Sequence, residues 1–172
     1  RNVRNIALPV DIAHTLKDYC SKRKVLIMLQ TLPVKIKVVT LEFNKHLNLI
    51  MPHVKTMENT LKAMWEILDC HHATCTQIKI EDKFYDVWSD DCALLKDKPI
   101  PTLYINDDLI LFGNLIFATS DEEGATTGLS EEDMDRVLKF INHQTPKLLT
   151  WLNKLIEQQE LRKNYVPNEK CG

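Results

Sequence analysis

The run Val34-Lys35-Ile36-Lys37-Val38-Val39-Thr40-Leu41-Glu42-Phe43 constrains this chain more than any other stretch. Pro33 breaks whatever precedes it, and Lys35, Lys37 and Glu42 interleave with β-branched and aromatic residues at a period nearer two than 3.6. Such a run is expected to be a strand, and a strand needs neighbours to satisfy its backbone. Lys24–Leu29 is expected to be an antiparallel neighbour on one side of Pro33, and Leu47–Met51, interrupted by Pro52, a third strand. Further on, Thr102–Ile105 and Leu109–Phe112 flank the turn-prone trio Asn106-Asp107-Asp108, which predicts a second strand-turn-strand unit.

Helical periodicity appears in three places. Pro9 and Asp11 precede Ile12, Leu16 and Tyr19, spacing that predicts a short amphipathic helix ending near Ser21. Residues 58–101 carry mixed signals: Leu61, Met64, Trp65 and Leu68 suit a helix, while Gln77–Ile80 and Phe84–Trp88 suit strands. This stretch reads as an elaboration inserted into the core. Residues 120–128 are acidic and glycine-containing and read as a linker. Ser130 then offers an N-cap, with acids at Glu131, Glu132 and Asp133 ahead of Met134, Val137, Leu138 and Ile141. Thr145-Pro146 reads as the start of a second helix, carried by Leu148, Leu149, Leu152, Leu155 and Ile156. The pattern predicts a C-terminal helical hairpin over 129–163, with a tail at 164–172.

Composition narrows the function classes. With 44% hydrophobic and 27% charged residues and only 4 Gly and 7 Pro, low-complexity or disordered biology is a poor description. Lys+Arg 22 against Asp+Glu 24 leaves a net charge of −2, which argues against a general polyanion binder held by long-range attraction. The apolar runs Val25–Leu29 and Leu109–Phe117 fall far short of the ~20 residues of a membrane span, and no basic-then-apolar leader opens the sequence, so no membrane role is expected. The 5 cysteines, Cys20, Cys70, Cys75, Cys92 and Cys171, are odd in number and irregular in spacing, which fits free thiols in a reducing compartment.

Two segments carry a family likeness. Lys24–Ile27 with Phe43-Asn44-Lys45-His46-Leu47-Asn48-Leu49-Ile50-Met51 and Val54-Lys55 resembles the first motif of the Sm/LSm family, and Tyr104-Ile105-Asn106-Asp107-Asp108-Leu109-Ile110 resembles the second. The resemblance spans roughly Pro9 to Phe117. It implies a mainly β fold with helices: a bent five-stranded Sm-like barrel over 8–119 with an N-terminal helix, the 58–101 insertion between its motifs, and the helical hairpin behind it. It further implies a nucleotide pocket in which His46 stacks on a base and Asn48 reads its edge, because an imidazole is flat and a carboxamide carries both donors and an acceptor. Asn106 and Asp107 stand where the family has an Arg-Gly pair, so the RNA-binding set His46, Asn48, Asn106 and Asp107 makes a weakened pocket.

The same likeness implies partners and a compartment: other Sm-like subunits joined by edge-strand pairing through Thr102–Ile105 and Leu109–Leu115, uridine-rich single-stranded RNA, and a place in the nucleus with assembly in the cytoplasm. The expected function is a non-catalytic subunit of a heteromeric ring in a ribonucleoprotein serving RNA processing, pre-mRNA splicing above all. The alternative is an Sm-fold interaction or assembly module that no longer binds RNA. No cofactor is expected. Cys70-His71-His72 with Cys75 and Cys92 offers zinc-type ligands, but at a spacing that fits no standard knuckle, and free cysteines are the expectation there. Asp90-Asp91 and Asp107-Asp108 lack a general base or a phosphate-binding loop beside them, so catalysis is not expected.

Overall fold

The computed structural model describes residues 34–106 and 109–164. The expected helix over 9–21, the expected strand Lys24–Leu29 and Asp107 lie outside the described residues. The chain divides into two units, residues 1–34 and 35–172, and all the elements described belong to the second.

Its strands are β1 (Lys35–Asn44), β2 (Leu49–Glu58), β3 (Ala73–Ile80), β4 (Lys83–Asp90), β5 (Pro101–Asn106), β6 (Leu109–Phe112), β7 (Leu115–Ser120) and β8 (Thr126–Thr127); the helices are α1 (Leu61–Leu68) and α2 (Glu131–Asn164). Six strands form one antiparallel sheet in the order β2-β1-β7-β4-β3, with β8 beside the end of β7, while β5 and β6 pair only with each other. The sheet is open among the described residues, with β2 and β3 at its edges. This corrects the bent five-stranded barrel.

Alternation sorts the side chains into two cores. Val39 and Leu41 of β1, Tyr85 and Val87 of β4, and Leu115 and Phe117 of β7 point to one face, where Met134, Val137 and Ile141 of α2 and Leu103 and Leu111 of the β5–β6 hairpin cover them. Ile36, Val38, Ile116 and Ala118 point to the other, under Met64 and Leu68 of α1. A strand covered on both sides loses its polar alternation, and so Leu115 to Ala118 are fully buried in succession. β7 pairs on both flanks, with β1 through Val39↔Phe117 and with β4 through Val87↔Phe117. Leu115 therefore belongs to a central strand.

The stretch expected as an insertion is no appendage. Its local elements sit where periodicity puts them, in α1, β3 and β4, yet β4 lies directly against β7 and half the sheet depends on it. α1 is delimited by its own caps: the Thr60 side chain accepts from the Ala63 N–H at 3.2 Å, and Asp69 ends the helix at φ 53°. Nor does Pro52 interrupt β2, because an edge strand tolerates a missing donor on its outer side.

Two further expectations change. Residues 120–128 form a structured turn, in which the Asp121 carboxylate accepts from the Glu123 and Ala125 N–H groups at 3.0 and 2.8 Å, and β8 returns to pair with β7. The expected hairpin over 129–163 is a single helix, α2, continuous through Pro146. An interior proline costs about 3 kcal/mol, but Ile141, Gln144 and Leu148, one buried stripe across the same turns, hold α2 on the sheet while Pro146 is exposed. No helix among the described residues is long and apolar enough to cross a membrane.

Gly128 lets the chain enter α2 against β1. A Cβ there would lie 2.9 Å from the Lys37 backbone nitrogen, beside the Leu129 N–H bond to the Lys37 carbonyl. Gly128→Ala is expected to cost about 1–3 kcal/mol by overpacking. Urea unfolding measures it, and an unchanged midpoint would contradict this close approach.

Candidate functional site

A groove of about 660 Å³ lies on the α2 face of the sheet. Its floor is the β1–β2 edge, with Leu41, Phe43, Ile50 and Pro52; one wall is the segment Pro99–Tyr104; the other is α2 from Ile141 to Leu152. Floor and wall are pinned by hydrogen bonds to the neighbouring turns. The Thr102 hydroxyl donates to the Gly113 carbonyl at 2.6 Å, and the Gly113 N–H donates to the Ile100 carbonyl at 2.8 Å. Asn114 accepts from the Phe43 N–H at 3.0 Å and donates to the Ile67 carbonyl at 2.8 Å, fixing the floor against the end of α1.

Among the described residues, no Asp, Glu, Lys, Arg or His lines this groove. Its polar groups are the carboxamides of Asn48, Asn142 and Gln144, the hydroxyls of Thr102 and Thr145, and Tyr104. Gln144 is 6% exposed, and its Oε1 is buried with no hydrogen-bond partner among the described residues. The Thr145 hydroxyl, by contrast, donates back to the Ile141 carbonyl at 3.0 Å. Sequence reasoning passes over Gln144, because a glutamine in a helix ordinarily reads as part of its solvated face. Its signal is the spacing: Gln144 lies three residues after Ile141 and four before Leu148, on the buried stripe.

The expected nucleotide-binding residues are placed by turn chemistry. Asn44 accepts from the His46 and Leu47 N–H groups at 3.0 and 3.1 Å, leaving His46 exposed, and Asn48 closes the β1–β2 turn at φ 54°. Asn48 reaches the rim of the groove, whereas His46 is not among its lining residues. Asn106 ends β5.

The expected zinc-type residues do not converge as a set. Among the described residues, the group whose ligand atoms lie within 4.8 Å of one another is Asp90, Asp91 and Cys92, without Cys70, His71, His72 or Cys75. Asp90 already holds a cation: its Oδ2 lies 2.7 Å from the Lys96 ammonium, while its Oδ1 accepts from the Cys92 N–H at 2.9 Å. The three thiols among the described residues all titrate above their ordinary value. A hydrogen bond to Asp91 raises Cys92, burial raises Cys70, and desolvation with the Asp86 carboxylate pushes Cys75 up to about 11.

A second ionic cluster ties α2 to the β3–β4 hairpin. Asp133 accepts from Lys83 and from the Tyr85 hydroxyl at 2.8 Å, Arg136 donates to the Tyr85 oxygen at 3.0 Å, and Arg136 also pairs with Glu81 at 2.9 Å. Burial alone would raise the Asp133 carboxyl, but hydrogen bonds from Lys83, Ser130 and Tyr85 outweigh it and hold the group well below the usual carboxylate range. The cluster is partly open to solvent, with Lys83 44% and Glu81 68% exposed, and it ties the helix that walls the groove to the sheet.

An antiparallel sheet covered by helices on both faces, with a groove at one edge, makes this a mainly β domain. Residues 38–142 match the family described as Domain of unknown function (DUF3846), and the chain belongs to that family. This replaces the Sm/LSm assignment: the match takes in every strand of the sheet from Val38 onward, and the described Sm-like segments fall at the β1–β2 edge and in a separate hairpin. No curated protein and no solved structure matches the chain.

Proposed function

We propose that this protein is a non-catalytic binding module whose groove between β1–β2, the Pro99–Tyr104 segment and α2 takes an apolar ligand. The observation that carries this reading is a concavity of about 660 Å³ whose walls, among the described residues, hold no carboxylate, ammonium or imidazole. That volume lies in the range of small-molecule pockets, and apolar walls with a few fixed polar groups favour desolvated binding over proton transfer. The RNA-processing role expected from the Sm-like segments rested on the Sm/LSm resemblance, which the family match replaces.

Nile red, neutral and solvatochromic, tests the reading. It is expected to shift its emission to the blue and to saturate at one molecule per chain. Leu149 and Leu49 both line the groove and are 56% and 59% exposed, so their replacement leaves the core intact. Leu149→Glu is expected to weaken the dye by about tenfold or more, by setting a charge in an apolar wall, with an unchanged melting midpoint. Binding that is unsaturable, or indifferent to Leu149→Glu and Leu49→Glu alike, would refute the groove as the site.

A further inference from the structure

α2 borders a second concavity, of about 330 Å³, which shares only Tyr104 with the groove. Lys147, Trp151 and Lys154 line it, and their spacing of four and then three residues sets them on one face of the helix, with the indole one turn from each lysine. Tyr104 of β5 and Pro146 add to its walls. The volume falls at the small end of ligand pockets. Both lysines are exposed, while Trp151 and Tyr104 are half-buried, so charge and aromatic surface alike are open to an incoming molecule.

The chemistry of the groups left free selects the ligand. The Thr150 hydroxyl spends its proton on the Pro146 carbonyl at 2.9 Å. Among the described residues, neither lysine enters an ion pair or a hydrogen bond, the Trp151 indole N–H has no acceptor, and no carboxylate lines the pocket. Lys147, Lys154 and Trp151 thus offer donors only, two of them cationic, and an acceptor-rich anion satisfies them. A pair of surface lysines alone is an ordinary solvated face. Here two aromatic side chains from separate elements line the same space, which suits a flat ring stacked on the indole. We infer that this pocket binds a small aromatic phosphate, its ring on Trp151 and its anionic end between Lys147 and Lys154. The lysines stand about 10 Å apart along the helix axis, a span that their long stems close, and a phosphate carries close to two charges at neutral pH and takes lysine as a point-charge partner. With a net charge of −2 the chain adds no long-range attraction, so the affinity is local and fades with salt. The inference does not depend on the apolar groove.

Isothermal titration of the intact chain with 1-naphthyl phosphate tests it, against inorganic phosphate, which lacks the ring. The naphthyl compound is expected to bind at one molecule per chain and about tenfold more tightly than inorganic phosphate, which gives up the stacked ring. The double change Lys147→Gln, Lys154→Gln is expected to weaken it about tenfold or more at an unchanged melting midpoint, since both lysines are exposed. Trp151→Ala is expected to bring it down to the level of inorganic phosphate. Raising salt from about 0.05 to 0.5 M is expected to weaken binding to the unaltered protein, and far less to the lysine variant. Inorganic phosphate binding as tightly as the naphthyl compound would leave only a basic surface. Indifference to the lysine changes, or loss of binding in Leu49→Glu instead, would place the probe elsewhere, in the groove in the latter case. Any of these results, or no saturable binding at all, overturns the inference, whereas the groove stands or falls by Nile red. Should Trp151→Ala not fold, the lysine variant and the comparison with inorganic phosphate decide.

Discussion

Phe117→Ala is expected to remove about 3–5 kcal/mol of folding stability. Phe117 is fully buried at the centre of the sheet, opposite Val39 on β1 and Val87 on β4. Truncation leaves a void beneath α2, walled by strands that cannot move inward without breaking two ladders of backbone hydrogen bonds. Against a typical total of about 5–15 kcal/mol, that loss brings the domain close to unfolding at ambient temperature. Urea denaturation followed by far-ultraviolet circular dichroism measures it. A loss under about 1 kcal/mol would mean that β7 is not the central strand, since such values belong to surface positions.

Asp133→Asn is expected to cost about 2–4 kcal/mol at pH 7, somewhat less than breaking a wholly buried ion pair, because Lys83 is partly solvated. The carboxylate serves several partners at once. It accepts from Lys83 and Tyr85, and it completes a capping box with Ser130, whose hydroxyl accepts from the Asp133 N–H at 3.1 Å. The sign of the pH dependence follows from the direction of its shift. A carboxyl held below its ordinary value stabilises the fold at every pH above the unfolded value, near 3.9, and that stabilisation is lost as pH falls from there toward the folded value. The stability gap between the unaltered protein and Asp133→Asn should thus be constant from pH 7 to about 5 and shrink below about 4. A gap that does not change with pH would show that the side chain acts through packing alone.

Much of the local structure is legible from residue patterns. The alternation from Lys35 to Phe43, the helical spacing from Leu61 to Leu68, the strand-like runs at Gln77–Ile80 and Phe84–Trp88, the paired segments around Asn106 and the capped start at Ser130 all correspond to elements of those types. The differences arise where local preference meets tertiary packing. Pro146 suits a helix start, but that preference yields when a stripe on either side of the proline is anchored in a core. Residues 58–101 look like a separate elaboration because their signals alternate between helix and strand; that alternation reflects β3 and β4 joining the sheet while α1 covers it.

The Sm-like likeness misleads for a related reason. Asn44, His46 and Asn48 form a polar turn between two strands, and such a turn looks alike in many β proteins because short-range hydrogen bonds shape it. Gln144 escapes notice for the opposite reason, since its immediate neighbours in sequence do not distinguish a buried glutamine from a solvated one. Sequence by itself determined most of the strands, the helical turns from Leu61 to Leu68 and the capped helix start at Ser130, because periodicity, turn residues and side-chain chemistry act over a few residues. Strand order, the central place of β7 and the isolation of the Gln144 oxygen were decided only by tertiary structure, because each depends on which distant surfaces exclude water from one another.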